Sequence, residues 1–148
     1  MDSVFEVRPE VLSGDTADVY FLRTRAVLEK EHINPVVTME IFPGRPGLLC
    51  GLKEVMVLLR RALRVEAQVW AMDEGEPIAA KQVALRITAP YQSLGVYETA
   101  IGLGSYISGA SPIDFSGDLT EIDGKPISKR GRIPGITANP RLKRVELA

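Results

Sequence analysis

Two stretches of the chain alternate apolar and polar residues so regularly that they leave little choice of fold. In residues 65–72, VEAQVWAM, the apolar side chains Val65, Ala67, Val69 and Ala71 fall on one face. In residues 82–89, QVALRITA, Val83, Leu85 and Ile87 do the same. A period of two marks a half-buried strand, one face turned to a core and the other to water. DEGEP, residues 73–77, separates the two as a turn. Sheets with one apolar face need a second layer to cover it. The segment 52–63 has the right form: Val55, Met56, Leu59 and Leu63 recur at helical spacing. Arg60, Arg61 and Arg64 gather near its C-terminal end, where bases complement the helix dipole.

The rest of the chain fits the same plan. A helix is predicted over 16–31, capped by Asp15 or Thr16 after the Ser13-Gly14 turn and stopped at Asn34-Pro35. Its inward stripe is predicted as Val19, Leu22, Ala26 and Val27, with Arg23, Glu29 and Lys30 outside. VVTMEIF, residues 36–42, reads as a strand on its β-branched content, and PGRPG after it as a loop. A short helix is expected over 93–101. Strands are expected in SYIS, DFSGDLTEI and KPISK, the last two joined by Asp123-Gly124, a strong two-residue hairpin signal. GRIPGITANPRL is punctuated by prolines and is expected to run extended over the surface. Helices and strands alternate and a hairpin follows, which predicts an α+β sandwich in one domain, residues 1–148.

Charge is unevenly placed. Residues 125–148 carry seven bases against the single acid Glu146, on a chain of net charge −1. Such a tail is either a phosphate or nucleic-acid binder, or a solvated edge that pairs with the body's own acids; the second reading is preferred. Aromatics interleave poorly with these bases, which argues against stacking on single strands. One cysteine, Cys50, excludes an internal disulfide and a cysteine-built zinc site, and its leucine neighbours suggest a buried, inert thiol. No signal-like or membrane-length apolar run is present, so the cytoplasm is expected.

Self-contained catalytic chemistry is scarce. The one histidine, His32, is expected in an exposed turn with no activated serine to serve, and is read as structural. Asp114, Asp118 and Glu121 lie on or near one strand, where alternation spreads them over water-facing positions and no metal site is expected. No P-loop is present. Two weaker features remain. GLGS, residues 102–105, is a tight turn that could offer amides and a hydroxyl to a phosphate. DVY, residues 18–20, puts a carboxylate and a phenol in the first turn of a helix, where the ring could stack on a flat ligand or simply pack in a core or an interface.

At the level of whole segments, ADVYFLRTRAVLEKEHINPVVTMEIFPGRPGLLCGLKEVMVLLR and VWAMDEGEPIAAKQVALRITAPYQSLGVYETAI resemble the N-terminal region of nicotinate phosphoribosyltransferase. GLGSYISGASPIDFSGDLTEIDGKPISKRGRIPGITANPRLKRV resembles that family's C-terminal return segment. The resemblance implies an α/β sandwich of the phosphoribosyltransferase N-terminal type, built from an N-terminal stretch, residues 1–101, and a return segment, residues 102–148. The family's catalytic barrel would stand between Ile101 and Gly102, and it is missing there. The family joins nicotinate to phosphoribosyl pyrophosphate for NAD salvage, using ATP and Mg, and its barrel holds nearly all the catalytic groups.

By the same resemblance Asp18 and Tyr20 are the nicotinate-side residues, Tyr20 reaching across a dimer interface to the pyridine ring. Gly104 and Ser105 are the phosphate-side residues. No catalytic residue, metal ligand or cofactor is expected in the chain itself. It is expected to be inactive alone, as a homodimer or as the partner of a barrel-bearing subunit. The surface over Val96 to Ile107 would be its self-association face.

Overall fold

A computed structural model of the chain describes residues 9, 19–63, 67–94, 106–107, 115–126 and 139–147. Its elements in chain order are α1 (Val19–Lys30), β1 (Val36–Pro43), β2 (Gly47–Cys50), α2 (Leu52–Ala62), β3 (Gln68–Ala71) and β4 (Pro77–Ile78). There follow β5 (Leu85–Pro90), α3 (Tyr91–Leu94), β6 (Tyr106–Ile107), β7 (Phe115–Ile122), β8 (Lys125–Pro126) and β9 (Lys143–Val145). Among the described residues no helix is long and apolar enough to cross a membrane.

Six strands form one antiparallel sheet in the order β8-β7-β1-β5-β3-β9. A smaller sheet has the order β4-β2-β6. The alternation read from the sequence sorts the large sheet's faces. Val37, Met39 and Ile41 of β1, Leu85, Ile87 and Ala89 of β5, and Val69 and Ala71 of β3 are buried in one hydrophobic cluster. Helix α2 covers them with Leu52, Val55, Met56, Leu58 and Leu59, and Leu63 follows. The α+β sandwich is therefore the observed architecture, and the inward stripe of α2 is the predicted one.

The two-residue turn at Asp123-Gly124 forms as expected. Asp123 has φ of 48° and Gly124 of 78°, the pair of left-handed residues that matches a hairpin's twist. The turn is tied to the head of β1 in both directions, since Asp123 N–H donates to the Val36 carbonyl and Val36 N–H donates to Asp123 Oδ1.

Several details differ from the sequence reading. Helix α1 does not bury the stripe assigned to it: Ala26 is exposed and Val27 is 60% exposed, while Leu22, Arg25 and Leu28 are half-buried. The shift has a local cause, because Leu28 packs on the main core and its carbonyl accepts from Ile33 N–H, turning that edge inward. GLLC carries no clear strand signal, but Gly47–Cys50 pairs with both β4 and β6. Cys50 is half-buried rather than buried, with its thiol 3.6 Å from the Leu48 carbonyl. The helix expected over 93–101 is described only as α3, Tyr91–Leu94.

The C-terminal residues 139–147 are stitched to the body; residues 131–138 of the segment expected to run extended lie outside the described residues. Asn139 is buried; its Nδ2 donates to the Val83 carbonyl at 2.7 Å and its Oδ1 accepts from Arg141 N–H at 3.0 Å. Arg141 reaches Gln82 Oε1 at 2.8 Å, and Lys143 Nζ reaches Asp73 Oδ2 at 2.7 Å. Strand β9 then closes the edge of the large sheet against β3. Of these two bases of the tail Lys143 pairs with an acid of the body, as the solvated-edge reading expects, whereas Arg141 meets the amide of Gln82.

Candidate functional site

The residues singled out from the sequence are only partly placed. Tyr20 lies in the first turn of α1, about ten residues and so roughly 15 Å of helix from its C-terminal end. Asp18, Gly104 and Ser105 lie outside the described residues. Tyr106 pairs with Cys50, the residue before Gly51 at the N-cap of α2. His32 is exposed with φ of 57°, in the turn after α1. Asp114 is outside the described residues.

The amino end of α2 is already served by a carboxylate. Gly51 has φ of 87° and no side chain to cap with. Glu74, from the turn between β3 and β4, supplies the missing acceptors: Oε2 takes Gly51 N–H at 2.9 Å and Oε1 takes Lys53 N–H at 3.1 Å. A negative group there is favoured by the helix dipole and satisfies two free amides. The same turn presents Asp73 to Lys143, and Asp73 holds the Lys143 ammonium pKa above its ordinary value, first by the hydrogen bond and then by charge.

The one dense polar constellation among the described residues lies on the face of the large sheet away from α2. Glu40 of β1 is 0% exposed, and Arg86 of β5 stands opposite it in register. Arg86 Nη1 is 3.5 Å from Glu40 Oε1, and Nη2 is 3.1 Å from Glu121 Oε1 of β7. The guanidinium also sits 6.0 Å from the Trp70 ring centre, on β3. Beside it Thr38 and Thr88 share a hydroxyl hydrogen bond of 2.8 Å, and Thr38 Oγ1 donates to Glu121 Oε2 at 3.3 Å. Four strands are thus tied by one network.

A β-bulge brings Glu121 into it. Pairing of β7 with β1 runs in step up to Leu119 opposite Met39, but Thr38 then faces Glu121 and Val37 faces Ile122. Thr120 is the additional residue; it is buried, with Oγ1 3.4 Å from the Thr38 carbonyl. Without the bulge alternation would have turned Glu121 to the other face; with it Glu121 is half-buried against Arg86, which corrects the water-facing position read for that residue.

Chemically the network is a positioning device. The Arg86 guanidinium is held by two carboxylates and so is not a ready anion receptor, and among the described residues the network contains no thiol or imidazole. Among the described residues no group of three His, Cys, Asp or Glu is arranged to hold a metal. Sequence reasoning missed Glu40 and Arg86. The available signal was their opposite charge at outward positions of two otherwise apolar strands, the pattern of a cross-strand pair.

Comparison with known proteins adds the family. The sequence model of the quinolinate phosphoribosyl transferase N-terminal domain matches residues 18–103, more than half of the chain. Among solved structures the chain resembles nicotinate-nucleotide pyrophosphorylase from Pyrococcus furiosus, with 33% sequence identity and a TM-score of 0.58. That match covers 69% of this chain and 27% of the solved one, so the chain spans about a quarter of that relative's length.

Proposed function

Because the chain belongs to the quinolinate phosphoribosyl transferase N-terminal-domain family, we propose that it is the sandwich portion of a phosphoribosyltransferase of NAD biosynthesis, with nicotinate as the base. In this reading it does not transfer a phosphoribosyl group by itself and acts beside a barrel that carries the chemistry. The observation that carries the reading is the coverage: the chain aligns to 27% of a solved relative whose name describes a nicotinate nucleotide and pyrophosphate.

Elementary chemistry points the same way. Breaking the glycosidic carbon–oxygen bond of phosphoribosyl pyrophosphate releases a diphosphate and builds positive charge on the sugar. Both need fixed groups of the opposite sign, placed before the reaction begins. Among the described residues the Arg86 guanidinium is engaged by Glu40 and Glu121, and the Gly51 and Lys53 amides at the head of α2 are engaged by Glu74.

Within this reading Asp18 and Tyr20 are the base-side contribution and Gly104 and Ser105 the phosphate-side one, each half of a site completed by the barrel. Tyr20 lies in the first turn of α1. The chain would then be a homodimer or the partner of a barrel-bearing subunit, in the cytoplasm.

The test is an assay of pyrophosphate release from phosphoribosyl pyrophosphate with nicotinate, and with quinolinate in parallel. The isolated chain should be silent. A barrel-bearing protein of the family should gain base-dependent turnover when the chain is added, and Tyr20→Ala should abolish the gain. Turnover by the isolated chain overturns the claim of inactivity. A quinolinate-dependent gain without a nicotinate-dependent one overturns the choice of base.

A further inference from the structure

The bulge in β7 and the carboxylate that follows it make one device. With Leu119 opposite Met39, a regular ladder would continue with Thr120 opposite Thr38 and residue 121 opposite Val37. That pairing sets threonine against threonine and leaves out only the bulge, so it is the natural competitor of the observed one. In the competing ladder Glu121 would stand beside Val37 and part from both Arg86 and Thr38. Arg86 would keep Glu40 alone.

The geometry points to Glu121 as a register lock, the residue whose hydrogen bonds with the Arg86 guanidinium and the Thr38 hydroxyl make the bulged pairing of β7 the populated one. A charge-assisted contact in a half-buried setting outweighs the modest cost of one misfitted residue. The hydrogen bond from Val36 N–H to Asp123 also favours the observed register, but it lies beyond the bulge and is exposed, where water competes with it. What the lock secures is the seating of the hairpin β7–β8 on β1, and so the union of the C-terminal third of the chain with the N-terminal strands of the sheet.

The experiment compares two substitutions that both remove the charge. Glu121→Gln keeps an amide able to accept from Arg86 and donate to Thr38. Glu121→Val keeps neither and is accepted beside Val37. In amide spectra of the full chain, Glu121→Val should show a second set of peaks for residues 119–123. Failing resolved peaks, hydrogen exchange there should rise about tenfold relative to Ile87. Glu121→Gln should stay with one set and within about threefold of the parent exchange rate. Deleting Thr120 from the Glu121→Val chain returns residue 121 to its place opposite Thr38 in a regular ladder, and should restore a single set.

Equal behaviour of the two substitutions overturns the lock, as does parental protection in Glu121→Val or failure of the deletion to restore one pairing. An unfolded Glu121→Val chain overturns it too, because a register lock predicts two folded pairings rather than loss of the fold.

Discussion

Replacing Arg86 by Met tests the physical core of this sandwich. Methionine preserves most of the hydrocarbon length that lies against Trp70 but removes the guanidinium 3.5 Å from Glu40 and 3.1 Å from Glu121. Glu40 is 0% exposed, so its carboxylate cannot turn to water in compensation. Removing one partner of a buried ion pair costs about 3–5 kcal/mol, chiefly through the charge left behind. Two features of the site pull this down. Arg86 is 24% exposed and Glu121 31%, so solvent already screens part of the attraction. The Glu40 contact is also longer than a tight charge-assisted hydrogen bond. An expected loss of about 2–4 kcal/mol follows, most of it from the Glu40 side.

For a chain of this size that lowers Tm by roughly 6–12 °C. Urea unfolding at neutral pH would measure it, with an unchanged slope showing that the two end states are the same. The double variant separates the causes. If the penalty is the buried Glu40 charge losing this cation, Glu40→Gln added to Arg86→Met should recover at least about half of it, although Glu40→Gln alone destabilises. A loss below about 1 kcal/mol in Arg86→Met would refute the argument, and so would a double variant no better than the single one.

Glu74→Ala strips both acceptors from the head of α2, where Gly51 offers no side chain of its own, and should cost about 1–2 kcal/mol in urea unfolding, with Glu74→Gln losing less. Asn139→Ala leaves the Val83 carbonyl without its buried donor and should cost about 1–3 kcal/mol. Its more specific sign is faster hydrogen exchange in Lys143–Val145 than in β5, because Asn139 anchors the approach to β9. Lys143 behaves differently. Asp73 raises its folded pKa above 10.5, so whatever the pair contributes is complete below that pH and is lost as pH climbs through the folded value. Both side chains are mostly exposed, so Lys143→Met should unfold at the parental Tm within a degree or two at neutral pH.

These perturbations divide along the line between local pattern and assembled structure. Positions whose environment follows from period alone were legible: Val55, Met56 and Leu59 on α2, Val69 and Ala71 on β3, and Leu85 and Ile87 on β5. The Asp123-Gly124 turn was legible for a related reason, since its left-handed conformations are properties of those two residues. Helix α1 was not. Its sequence offers apolar side chains on more than one side, and the side that Ala26 and Val27 occupy is the one left to water.

The chain's own residues thus determined most of the helices and strands and the apolar face of α2, β3 and β5, and hence that the fold is an α+β sandwich. They also carried the resemblance to a phosphoribosyltransferase family, because short-range motifs survive in the order of residues. Only the tertiary structure decided that Glu40, Arg86 and Glu121, at positions far apart in the chain, meet on one face, and that Glu74 caps a helix it does not belong to. Such contacts depend on strand order and on a single-residue bulge. A bulge turns every following side chain over, and no local period records where it falls.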